Sequence, residues 1–225
     1  MAVMDEFKKE RESIKTAPLS KKIEYIWNYY WVQILIVVGL ILTIAGVFFV
    51  VTNKKEPVLN GIYVNCYKED YVNGDLIEEF IEEQKIDLKE QEIYFVTDLT
   101  YRLDDGMTSG TTNKQTTQAL TIYHESGTMD FVAAQREVME ALALKNYFAD
   151  LADILTEEQY AALEPYFISY PNSKGEQVPV LIDMSKSEIL KDGYEEDAKD
   201  SLVLGVVTGA PHKEMVGKYI EYLMR

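Results

Sequence analysis

From Val32 to Thr52 the chain runs 21 residues without a charge, and Gln33, Thr43 and Thr52 are its clearly polar side chains. At about 1.5 Å per residue, a helix of that length covers roughly 30 Å, the hydrocarbon thickness of a bilayer. The run is apolar on every side and lacks the polar stripe of a core helix, so the pattern predicts a membrane span. It is longer than the apolar region of a secretory signal, about 7–15 residues, and it leads into Val47-Phe48-Phe49-Val50-Val51 rather than a small-residue cleavage site. The expectation is an uncleaved anchor. Trp27, Tyr29, Tyr30 and Trp31 form an aromatic belt at its entry side. Upstream, "DEFKKERESIK" reads as a short helix, Pro18 as a break, and Ser20 as the N-cap of a helix running into the span.

Beyond the span, runs with strand character alternate with runs of helical period. Strand candidates are "GIYVNCY", "EIYFVTDLTY", "MDFVAA", "VPVLIDM" and "SLVLGVVT". The last two lack apolar–polar alternation, as strands covered on both faces do. Leu76, Ile77, Phe80 and Ile81 share one helical face, as do Met215, Tyr219, Ile220 and Leu223 near the C-terminus. "TTQALTIYHESG" and "REVMEALALKN" predict two further helices. "LTEEQYAALEPY" predicts another that opens on a capping box between Thr156 and Gln159. "RLDDGMTSGTTNKQTT", residues 102–117, reads as a mobile surface loop. The stretch at 165–180 reads as a hairpin-like insertion.

This order predicts an α/β fold with a largely parallel sheet. The expected organisation is a cytoplasmic tail (1–31), a transmembrane helix (32–52), a linker containing Pro57 (53–59), and one compact domain (60–225).

Charge places the ends. The tail holds Lys8, Lys9, Arg11, Lys15, Lys21 and Lys22 against five acidic residues, a net +1, so the rest of the chain carries −17 of the whole chain's −16. Six basic residues in a short tail predict a cytoplasmic N-terminus, although Lys54 and Lys55 follow the span; the long C-terminal segment is then extracytoplasmic. A domain that acidic is repelled by phosphate backbones, which argues against nucleic-acid partners and suits cationic or neutral ones. Cys66 is the only cysteine, so an intramolecular disulfide is excluded, and its run reads as a place for a small core residue.

Catalytic and metal chemistry finds little support. His124 and His212 are the two histidines. "HES" at 124–126 sets side chains about 100° apart on a helix, which forms no relay. His212 reads as solvent-facing near a helix start. No HExxH, CxxC, calcium-loop or phosphate-loop spacing occurs, so neither a metal nor a cofactor is expected, and the chain reads as a non-enzyme. Polar residues at the carboxyl ends of the strands remain, where ligands sit in open α/β sheets. These candidates are Thr97, Asp98, Thr100, Tyr101, Gln135 and Thr208.

One stretch carries a resemblance. In "TTQALTIYHESGTMDFVAAQREVMEALALKNYFADLADILTEEQYAALEPYF", Gly127, Asp130, Phe131, Val132 and Gln135 make a Gly-x-x-Asp strand phrase, and "YFADLADILTEEQ" follows. With the closing "SLVLGVVTGAPHKEMVGKYIEYLM", this resembles type 2 extracellular solute-binding proteins. The pairing of an "FKKERESIK" tail with one span and such a domain is similar to that of small bacterial membrane proteins of uncharacterised function. The resemblance implies a membrane-anchored domain that binds a small polar molecule or a peptide without turning it over. The alternative is an envelope scaffold with a vestigial cleft that docks a membrane protein.

Overall fold

The computed structural model describes residues 17–52, 54–102, 109–195 and 198–225. They fall into two units, divided between Lys54 and Lys55.

The first unit is one helix, α1 (Leu19–Thr52). Its Tyr30–Phe49 segment has a mean hydropathy of 2.7 and none of it is buried, which is compatible with a single span by length and composition. The Thr43 hydroxyl donates to the Gly39 carbonyl (2.9 Å) and that of Thr52 to the Phe48 carbonyl (2.8 Å), so neither needs water. The helix starts earlier than expected. The Pro18 carbonyl accepts from the Lys21 and Lys22 N–H groups, which makes Pro18 the cap and puts Ser20 inside the first turn. The helix expected over "DEFKKERESIK" lies outside the described residues.

In the second unit, β1 (Glu56–Tyr63) is followed by α2 (Glu69–Val72), α3 (Asp75–Gln84) and β2 (Gln91–Val96). Next come α4 (Ser109–Ser126), β3 (Phe131–Gln135), α5 (Arg136–Ala143) and α6 (Glu157–Leu163). The chain closes with β4 (Phe167–Pro171), β5 (Gln177–Asp183), α7 (Glu188–Lys191), β6 (Leu202–Val206) and α8 (Lys213–Leu223). The strands make one sheet in the order β2-β1-β3-β6-β5-β4. β1 is parallel to β2 and β3, whereas β6 is antiparallel to both β3 and β5, and β4 is antiparallel to β5. The sheet is therefore mixed: β1, β2, β3 and β5 run one way, β4 and β6 the other.

Both faces are covered, as the unalternating runs predict. On β6, Leu202, Leu204 and Val206 enter one core with α3 and α8, while Val203 points to a second core with Leu120 of α4 and Val138, Met139 and Leu142 of α5. β1 divides likewise, Leu59 and Tyr63 entering the first core and Ile62, with Val64 just after the strand, the second. Gly61 lies under the Phe131 ring, where a Cβ would come within 2.1 Å of a ring carbon. Tyr63, Phe80, Phe95, Phe131, Tyr219 and Tyr222 form an aromatic cluster in the first core, most pairs meeting edge-on or tilted. Fully burying one such ring contributes about 1.5–3 kcal/mol.

Three expectations change. Residues 56–59 belong to β1 rather than to a linker; Pro57 is tolerated because β3 pairs only from Gly61 onward, leaving that end of β1 with β2 alone. Residues 109–117 form the first half of α4 rather than a loop, and 103–108 lie outside the described residues. The first strand ends at Tyr63, so Cys66 sits in the following loop, where its thiol donates to the Gly193 carbonyl (3.5 Å). Burial pushes that thiol up to about 11. Elsewhere the expected devices form. Thr156 Oγ1 accepts from the Gln159 N–H (3.2 Å) and Gln159 Oε1 from the Thr156 N–H (3.1 Å). β4 and β5 make the hairpin, whose turn is held by Asn172 Oδ1 accepting from the Lys174 and Glu176 N–H groups.

Candidate functional site

The carboxyl ends of β1 and of the two strands parallel to it, β2 and β3, share one sheet edge, and five of the six candidate residues lie there. Tyr101 and Gln135 meet through Asn65, which the sequence reading passed over. Its side-chain amide donates to the Tyr101 carbonyl (2.8 Å) and to Gln135 Oε1 (2.5 Å), and its Oδ1 accepts from the Tyr101 N–H (2.7 Å). The Asn65 N–H donates to the Leu99 carbonyl (2.9 Å). Asn65 adopts φ +59°, a left-handed conformation that asparagine tolerates and that turns the chain off β1. The signal available in the sequence was an Asn interrupting an apolar run at a strand's end. Thr97 is buried, and the Thr100 carbonyl accepts from the Thr116 hydroxyl (2.5 Å). Asp98 and Thr100 are exposed.

Thr208 does not join them. It follows β6, which runs against β3 with Val206 opposite Phe131, so the carboxyl end of β6 lies at the opposite sheet edge. There the Thr208 N–H donates to the Tyr147 carbonyl (2.9 Å). A strand's own direction decides which edge its end reaches, and an apolar run carries no direction.

Beside the carboxyl edge, the chain leaving β1 lines an open cleft of about 860 Å³ with Tyr67, Lys68, Glu69, Asp70, Tyr71 and Asp75. Its walls are pinned from behind. The N–H groups of Tyr67 and Lys68 both donate to the Gly193 carbonyl (2.9 and 3.2 Å), and the Tyr71 hydroxyl donates to the Ile189 carbonyl (2.9 Å). Tyr67 is 65% exposed, so its ring is available to the cleft's contents. Partial burial, then the Asp192 carboxylate, raise the Tyr71 phenol above its ordinary value. Two phenol rings and three carboxylates against one lysine make this wall attractive to a cationic group, through ring faces and charge together.

The histidines differ from expectation. His212 is not simply solvent-facing: its Nδ1 lies 2.9 Å from Asp130 Oδ2, and its N–H donates to Asp130 Oδ1 (2.8 Å). Asp130 is fully buried and also accepts from the Asn60 N–H (2.7 Å). A buried carboxylate needs such donors, and here they tie β1, the start of β3 and the start of α8 together. His212 borders a second cleft, about 510 Å³, at the amino end of β1. Among the described residues no hydroxyl or thiol side chain hydrogen-bonds to His212. His124 packs on the Tyr147 ring (centroids 4.6 Å), with its Nε2 buried and lacking a hydrogen-bond partner. Ser126 bonds to Tyr123 and Thr128 rather than to His124, so "HES" forms no relay.

No family model matches the chain, and no curated protein matches it.

Proposed function

We propose that the protein is a single-pass membrane protein, N-terminus cytoplasmic, displaying an extracytoplasmic domain that binds a small molecule or peptide without catalysis. The ligand class is cationic, an ammonium or guanidinium group. The observation carrying this reading is the preformed cleft behind β1, where Tyr67 and Tyr71 accompany Glu69, Asp70 and Asp75. Nothing in this cleft pairs a nucleophile with a base, which supports binding over turnover. The membrane is the first partner, through α1.

A second reading, an envelope scaffold that docks a membrane protein, is favoured by the carboxyl-edge polar groups. The Asn65 side chain is spent on the Tyr101 backbone and on Gln135 Oε1 rather than turned to a ligand.

The test is the melting temperature of the full chain in lipid nanodiscs, with spermidine or a lysine-rich peptide against its acetylated form. The cationic probes should raise it, because a ligand bound to the native state stabilises that state. Glu69→Gln with Asp70→Asn and Asp75→Asn should abolish the rise. An equal response to the acetylated peptide, or no response to either probe, defeats the cationic reading. Protease protection of the domain in intact cells defeats the topology.

A further inference from the structure

The α1 helix is longer than the bilayer it would cross. Leu19 lies eleven residues ahead of Tyr30, where the apolar window opens, so it stands about 16 Å before the hydrocarbon. Ile23 stands about 10 Å before it. The headgroup layer adds only about 5–8 Å on each side. Leu19 and Ile23 are 78% and 64% exposed, and lipid does not reach them in a helix that runs straight on from the span.

These residues belong to a stripe. Leu19, Ile23, Ile26 and Tyr30 follow one another at intervals of four, three and four, and Gln33 comes three later. Lys21, Glu24 and Asn28 occupy the other side of the helix. A repeat of seven with this spacing is the seam of a left-handed helix pair.

Gln33 is the second, independent sign. It lies within the apolar window and is exposed. The Thr43 and Thr52 hydroxyls are satisfied by their own helix, but no group among the described residues hydrogen-bonds the Gln33 amide. An amide left in lipid carries a desolvation cost that an interhelical hydrogen bond removes. A primary amide is both donor and acceptor, so it is complementary to its own copy.

We infer that α1 pairs in parallel with α1 of a second copy of this chain, through a seam of Leu19, Ile23, Ile26 and Tyr30 closed by a Gln33–Gln33 hydrogen bond. Copies inserted in the same direction place each seam residue opposite itself about a two-fold axis. The inference rests on the single span proposed above.

The test uses the full chain in its membranes, with Cys66→Ser as background and single cysteines placed from 19 to 31, oxidised and run without reductant. Crosslinks at twice the chain mass should peak at 19, 23, 26 and 30 and be weakest at 21, 24 and 28. Gln33→Leu should weaken crosslinking about threefold or more, and Gln33→Asn should retain it. Protein that resists alkaline extraction yet gives no doubled band, or equal yield at every position, overturns the pairing and leaves the span standing. A band of another mass overturns the second copy as occupant. Release by alkaline extraction removes the span, and the pairing with it.

Discussion

Tyr63 and Tyr219, 156 residues apart in the chain and both fully buried, hold their hydroxyls 2.5 Å from each other in the aromatic cluster. That bond joins β1 to α8. Removing one hydroxyl strands the other away from water, whereas removing both leaves two apolar rings. Tyr219→Phe should therefore cost about 1–3 kcal/mol, and the Tyr63→Phe/Tyr219→Phe pair should cost less than the two single changes together. Urea unfolding of the four variants measures the coupling.

The same phenols set a limit at high pH. Burial, before any other cause, raises the ionisation of Tyr63, Tyr194 and Tyr219 well above that of an ordinary phenol. Below pH ~10 both states hold these protons and nothing is lost. Above it the unfolded chain gives them up while the folded chain does not, so stability falls as pH rises. The melting temperature should drop from about pH 10 upward, and phenolate absorbance should appear together with unfolding. Ionisation of these three phenols ahead of unfolding would contradict their burial.

Gly61 leaves room for the Phe131 ring. An added methyl there forces that ring out of the cluster, so Gly61→Ala should destabilise by about 1–3 kcal/mol or more. Phe131→Leu should recover part of the loss when combined with Gly61→Ala, although alone it destabilises. Thermal melts of the single and double variants decide between a steric cause and a loss of strand twist.

Asp130 is the carboxylate on which two backbone N–H groups and one imidazole converge. Asp130→Ala should cost about 3 kcal/mol or more, because buried donors lose their acceptor. His212→Ala should cost less, since both backbone donors remain on the carboxylate. Chemical denaturation of each variant gives the order.

Residues whose partners lie close in sequence were legible in it. The Thr156–Gln159 box, the hairpin around Asn172 and the buried face of α8 are local patterns, and each is present. What was hidden depends on distant neighbours or on competing signals. Pro57 speaks against a strand, yet β1 begins at Glu56 because one side of that segment is unpaired. Gly110, Thr111 and Thr112 are poor helix formers, yet α4 runs through them. The site followed the same division. Polar residues at strand ends could be picked out, but that Asn65 would engage the Tyr101 backbone and Gln135 Oε1 depends on contacts spanning 36 and 70 residues. Thr208 was misplaced by the unseen direction of β6, and Asp130 was visible only as part of a strand phrase.

β6 is made after every other strand but belongs in the middle, between β3 and β5. Without Leu202–Val206 the sheet order leaves two separate ribbons, β2-β1-β3 and β5-β4, each with an inner edge of unpaired backbone. A nascent chain that stalls short of residue 202 is thus a half-zipped object, open to proteases and to stray strands. Seating β6 converts both ribbons into one body at a single late stroke.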